Sequence, residues 1–191
     1  QTRGTIPNAL PARFLVGLFM DDPNPTWMKD SNVPWVVQYR YFTKGWVNNW
    51  GWGNYDGTFA YNFFTKASAD GFIPAVQYYQ MVSEQPWPND EAKFVEKLQT
   101  ASTMKSYFSD FILFMKNVKN YGKPVLVLME ADGFGFCQRQ SNGNSSLYAA
   151  ISDSGVPELQ GLPNTVYGFG LALLKIRQAT GASNAYMGIH I

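Results

Sequence analysis

Apolar positions along the chain fall into short continuous runs and longer spaced faces, and the two patterns predict different elements. Arg13 to Met20 (RFLVGLFM) is a compact apolar run, the mark of a buried strand, and Asp21-Asp22-Pro23-Asn24-Pro25 breaks it. Pro34 to Phe42 (PWVVQYRYF) is a second strand, rich in β-branched and aromatic residues. Lys44 to Gly57 is a loop of Gly, Asn and Trp, Thr58 to Ala69 reads as a helix ended by Gly71, and Ile73 to Met81 (IPAVQYYQM) is a third strand. Between Lys93 and Tyr121 the apolar residues Phe108, Phe111, Ile112, Met115 and Val118 follow a 3.6 period, which predicts one long amphipathic helix or two, stopped by Gly122. Pro124 to Met129 (PVLVLM) is apolar on both faces, as in parallel sheets covered by helices. Gln138 to Ser154 reads as a polar loop of about seventeen residues, long enough to serve a function. Thr165 to Thr180 is a helix with Gly181 at its C-terminal cap, and residues 185–191 form a fifth strand.

Strands that alternate with helices in this way predict an α/β protein whose parallel strands are joined by crossovers. An open sheet that binds nucleotides carries a Gly-rich phosphate turn after its first strand. Here that turn is Asp21-Asp22-Pro23, which repels phosphate. The expectation is therefore a TIM-like parallel β/α barrel, distorted or regular, of which the chain supplies about five strands. Residues 1–191 are expected to form one domain, incomplete as a barrel and closed by another segment.

Composition narrows the chemistry. The 191 residues carry a net charge of +1 and are 46% hydrophobic, which suits a folded domain with a real core. No apolar run reaches the ~18 residues of a membrane span, and no basic stripe marks a nucleic-acid face, so neither a membrane nor a nucleic-acid partner is expected. The single histidine, His190, and single cysteine, Cys137, leave no disulfide, no CxxC knuckle and little room for a His-based triad or zinc site. No metal or cofactor is required. The chain starts at Gln1 rather than Met, which predicts a processed terminus and a secreted protein, and Asn144-Ser145-Ser146 is a glycosylation sequon.

Barrel active sites lie at the C-terminal ends of the strands, and polar residues gather there. They are Asp21 and Asp22; Gln38, Tyr39, Arg40 and Tyr41; Gln77, Tyr78, Tyr79, Gln80 and Glu84; Glu130 and Asp132; and His190. In extended chain residues i and i+2 share a face, so Glu130 and Asp132 are expected together on a low-dielectric rim that raises the pKa of one of them. A raised carboxyl beside an ionised partner is the requirement of glycoside cleavage. The plainer alternative is a helix cap or a loop ion pair. Trp46, Trp50 and Trp52, set among Gly and Asn, suit stacking on sugar rings, or else a loop packed down by its own tryptophans. Arg40 inside a barrel needs a carboxylate partner.

These residues resemble the secreted cellulases of glycoside hydrolase family 6 over roughly residues 73 to 191. In that family an apolar strand ends Glu-Pro-Asp-Ser; here Val125 to Met129 leads into Glu130-Ala131-Asp132-Gly133. The preceding strand of the family is similar to Val76-Gln77-Tyr78 followed by Glu84, and the next one is similar to Tyr186-Met187-Gly188-Ile189-His190 at its histidine. Glu84 and Met187 stand where the family has Asp, and Ala131 where it has Pro. The resemblance implies a distorted β/α barrel that cuts a β-1,4-glucan with inversion, with Asp132 as proton donor. The expectation is a secreted glycoside hydrolase, or part of one, acting on a polysaccharide or oligosaccharide. Asp132 acts as general acid, with Glu130, Glu84 and Asp21 tuning it or positioning water. Tyr39, Arg40, Trp46, Trp50, Gln77, Tyr78 and His190 line the substrate. Two rival readings keep the aromatics without the acid: a carbohydrate-binding module on a barrel scaffold, and a structural or adhesion domain.

Overall fold

The computed structural model describes residues 7, 9–20, 26–48, 50 and 56–189. Five strands, β1 (Val16–Phe19), β2 (Trp35–Phe42), β3 (Ile73–Tyr78), β4 (Val125–Met129) and β5 (Ala185–Ile189), form one sheet in the order β1-β2-β3-β4-β5. Every neighbouring pair is parallel. The α/β class and the all-parallel sheet of five strands follow the expectation from sequence, and among the described residues β1 and β5 are the edge strands. Among the described residues the strand order contains no reversal of the kind at which doubly wound folds hold their ligands.

The helices are α1 (Thr26–Asp30), α2 (Thr58–Ala69), α3 (Phe94–Gln99), α4 (Ala101–Tyr121), α5 (Gly133–Gln140) and α6 (Val166–Thr180). α2 spans the stretch its pattern predicts. The long amphipathic segment divides in two because Thr100 is extended (φ −95°, ψ 109°) between α3 and α4. The Thr165 hydroxyl accepts from Gly168 N at 3.1 Å and caps α6, while Gly181 ends it in the left-handed region. Two helices were not legible. α1 is a single short turn of helix. α5 carries Gly133 and Gly135 and so has weak intrinsic propensity. It forms because Phe136 and Cys137 bury against α3, with the Phe136 and Phe94 rings 5.8 Å apart. Gly133 is needed there for space, since a Cβ would lie 2.6 Å from Phe94. Gln138–Gln140, expected to begin a loop, instead finish this helix.

With right-handed crossovers and sequential order, the connecting helices fall on the same side of the sheet. The burial pattern agrees. Phe42, Val76, Tyr78, Val125, Val127 and Met129 are buried in one core with residues of α2, α4 and α6. Their neighbours one position along, Tyr41 and Leu128, point the other way and remain 40% and 43% exposed. That second face carries a groove of about 830 Å3, lined on its lower part by Leu15, Gly17, Val37, Ala75, Leu126 and Gly188. No helix among the described residues is long and apolar enough to cross a membrane.

Candidate functional site

The bare face changes character along its strands. Towards the N-terminal ends it carries Gly17, Val37, Ala75 and Leu126, with Tyr186 beside Leu126; towards the C-terminal ends of β1, β2 and β3 it becomes a row of rings. Phe19 on β1 lies 5.6 Å from Tyr39 and 5.9 Å from Tyr41 on β2, centroid to centroid. Tyr39 and Tyr41 are 6.2 Å apart, and Tyr79, just past β3, lies 6.3 Å from Tyr41. The strand period of two aligns them: Tyr39 and Tyr41 share a face, and Tyr79 N donates to Phe42 O at 2.9 Å, which extends the ladder past β3.

Two carboxylates, Asp132 and Glu91, lie near enough to this row to act on its phenols electrostatically. Asp132 is exposed at the residue before α5. Burial, the Tyr39 phenol and the Asp132 charge together hold the Tyr41 hydroxyl above its usual range. Burial first, then Glu91, then Asp132, push Tyr79 up to about 12. Glu91 opens a 3-10 turn, Glu91–Lys93, tied to α5 by Gln140, whose Nε2 donates to Glu91 O at 2.7 Å and whose Oε1 accepts from Val95 N at 3.0 Å.

Glu130 is elsewhere. β4 ends at Met129, and Glu130 adopts φ 44°, so the chain turns there instead of running on extended. The expected i, i+2 sharing of one rim therefore fails: Glu130 is fully buried while Asp132 is outside. Its N–H donates to Tyr78 O at 2.7 Å, and its carboxyl oxygen Oε1 accepts from Gln80 N and Met81 N, each at 3.2 Å. Burial outweighs those hydrogen bonds and pushes the carboxyl up to about 8. The buried Tyr107 hydroxyl is close enough to interact with it, yet lacks a well-formed hydrogen bond. The raised acid foreseen in the sequence exists, but it braces backbone in the interior.

Glu84 is likewise sealed. It accepts from Gln80 Nε2 at 2.6 Å and pairs with Lys44 Nζ at 3.2 Å; burial nevertheless raises its pKa. Lys44 also reaches Asp110 at 2.7 Å and Ser106 at 2.6 Å. Gln80 Nε2 donates to Asp110 at 2.8 Å, and its Oε1 accepts from Trp46 Nε1 and Tyr78 Oη, both at 3.0 Å. This connected network ties the loop after β2 to the end of β3 and to α4.

The expected sugar-stacking role of Trp46 and Tyr78 is corrected by their burial: both are 0% exposed. Trp46 packs on Phe42 and Phe114, at 5.5 and 6.1 Å, and Tyr78 on Phe111 at 5.0 Å. Trp50 is half-buried against Phe59 at 4.8 Å, and Arg40 lies over these two rings at 5.6 and 5.2 Å, on the helix side. Trp46 and Trp50 thus pack on the core, and Arg40 stacks there rather than facing the bare side. Tyr39 and Gln77 do face the bare side and line its groove. Asp21, Trp52 and His190 lie outside the described residues.

Tyr41 and Tyr79 were placed at the strand ends from sequence but given no role in the site, and Phe19 and Glu91 were not singled out. Alternation already groups Tyr41 with Tyr39, and Tyr79 with Gln77. What was missing was knowledge of which face the helices cover. Among the described residues, no group of three or more His, Cys, Asp or Glu side chains is placed to hold a metal ion. Set against known proteins, the chain matches no family model, no curated protein and no solved structure.

Proposed function

We propose that this chain is part of a secreted glycoside hydrolase built on a β/α barrel, acting on a polysaccharide or oligosaccharide with Asp132 as general acid. The sequential strand order, with helices on one side and a largely apolar inner face, suits a barrel interior. The observation that carries the functional reading is the meeting, at the C-terminal ends of the strands, of an exposed carboxylate with an exposed row of rings. Rings supply flat apolar surface for the C–H faces of sugars. In this reading Asp132 protonates the departing glycosidic oxygen while water adds to the anomeric carbon. Glu91, which also acts on Tyr79 electrostatically, accepts the proton of that water. Glu130 and Glu84 are positioning residues: they hold the backbone at Gln80 and Met81, next to Tyr79.

One observation favours the rival reading of a carbohydrate-binding module without catalysis. Of the carboxylates singled out from sequence that lie among the described residues, Glu84 and Glu130 are sealed, which leaves Asp132 alone of them on the rim. Asp132→Asn separates the two. Reducing ends released from a panel of polysaccharides are measured beside binding to the same panel. Hydrolysis by the native chain, lost at least about a hundredfold in the variant with binding kept, supports the proposal. Binding without release supports the module, and a chain that neither binds nor cleaves any glycan removes both.

A further inference from the structure

We infer that Asn144 carries an N-linked glycan, attached through its side-chain amide as the chain enters a secretory compartment. The inference rests on the secreted reading and adds to it a covalent modification site away from the sheet. Asn144-Ser145-Ser146 is an acceptor sequence for such attachment. Asn24 is the one other asparagine with Ser or Thr two positions on, and Pro25, between Asn24 and Thr26, disqualifies it. The donor is a lipid-linked oligosaccharide pyrophosphate. The Asn144 Nδ2 attacks C1 of its first sugar, and a C1–N bond replaces the C1–O bond. The electron pair of the broken bond leaves on the lipid pyrophosphate, and one amide hydrogen departs as a proton to a base on the transferring enzyme.

The structure presents this asparagine in the way the chemistry needs. Past α5 the chain turns at Asn142 (φ 52°) and Gly143 (φ 72°), and residues 142–146 are all exposed. Asn144 Oδ1 accepts from Ser146 N at 3.0 Å. That local bond engages the acceptor half of the amide and leaves the donor half open. Among the described residues neither Asn144 Nδ2 nor the Ser146 hydroxyl makes a hydrogen bond. The turn is held by its backbone instead. Gly143 N donates to Gln138 O at 2.8 Å, Asn144 N to Ser141 O at 3.0 Å, Tyr167 N to Ser145 O at 2.9 Å and Val166 N to Leu147 O at 2.9 Å. A sugar on Nδ2 therefore displaces none of the bonds that fix the turn between α5 and α6. Tyr148 and Tyr167, whose backbones adjoin it, remain 44% and 61% exposed, so no described element covers this corner. Asn142 is exposed as well, but Asn144 rather than Ser or Thr follows it by two positions, so it is not an acceptor.

The test translates the full 191-residue chain behind a cleavable leader in a lysate supplied with endoplasmic-reticulum microsomes. Chains inside the vesicles are identified by their protection from added protease. Those chains are expected to run as a slower band, shifted by one glycan, that collapses when an amide-cleaving glycosidase is added. The same enzyme leaves an aspartate where the glycan sat, and peptide mass spectrometry should place that change at Asn144. Asn144→Gln and Ser146→Ala should each abolish the slower band, while Ser146→Thr keeps it. Both positions are exposed, and Ser146→Ala retains the backbone N–H that Asn144 accepts from, so its loss of the band reports the missing hydroxyl rather than a lost turn. Protected chains with no glycan at Asn144, or with one elsewhere, overturn the inference and leave the secreted reading standing. Chains that stay outside the vesicles despite the leader overturn both.

Discussion

On the covered face of the sheet, Phe42, Trp46 and Tyr78 are sealed among the rings of α2 and α4 and exposed to nothing. On the bare face, Phe19, Tyr39, Tyr41 and Tyr79 stand in a row that solvent reaches. The carboxylates divide the same way. Glu84 and Glu130 are locked onto Gln80 and Met81, whereas Asp132 and Glu91 are open to solvent and act electrostatically on Tyr79. Residue type alone therefore says little about role in this chain. A tryptophan in a polar loop is a core residue, and a tyrosine one position from a buried phenylalanine meets solvent. What separates them is which side of β2 and β3 the crossover helices cover.

The contrast is sharpest in stability. Trp46→Ala is expected to cost about 3–5 kcal/mol in urea unfolding, because it empties a sealed position and removes one of the two donors to Gln80 Oε1. A loss under about 1 kcal/mol would show that the covered face is far less tightly packed than described here.

Glu130→Gln tests the buried carboxyl through pH. The unfolded group titrates near 4.5 and the folded one near 8, so between those values the folded chain keeps a proton that the unfolded chain has lost. The stability this gives is present in full at low pH and is lost as pH rises through about 8. The native chain should weaken across that window by on the order of 3 kcal/mol more than the glutamine variant, which cannot ionise. Parallel pH slopes for the two chains, measured by thermal melts, would mean that Glu130 is not the buried acid.

Tyr41→Ala examines the bare side. Its unfolding free energy should change by less than about 1 kcal/mol, since the ring is 40% exposed, while glycan affinity drops several-fold. A cost as large as that of Trp46→Ala would show that this face is covered in solution. The smallest effect is expected at Lys93→Ala, which removes an exposed pair with Glu96 worth about 0.2–0.5 kcal/mol and lies on neither face of the sheet. A larger loss in urea titration would tie the Glu91–Lys93 turn to the core.

Much of the fold was legible because its signals are local. The five apolar runs became the five strands, and α6 carries its own stop and start in Thr165 and Gly181. α5 was not legible, because its glycines argue against a helix and only the packing of Phe136 on Phe94 overrides them. In the candidate site, Asp132 was placed at the end of β4 from sequence and lies there. Its supposed twin Glu130 was misplaced, because the period-two rule stops where Glu130 takes a positive φ. Tyr78 was preferred to Tyr79 for the same kind of reason: alternation shows that adjacent residues part company, without showing which one meets water.

By itself the sequence determined the α/β alternation and the residues that share a strand face, both set by spacing along a few residues. Only the tertiary structure decided which face is covered, which acids are sealed and which rings are bare. Those outcomes depend on helices contributed from distant parts of the chain, and no local pattern encodes where they come to rest.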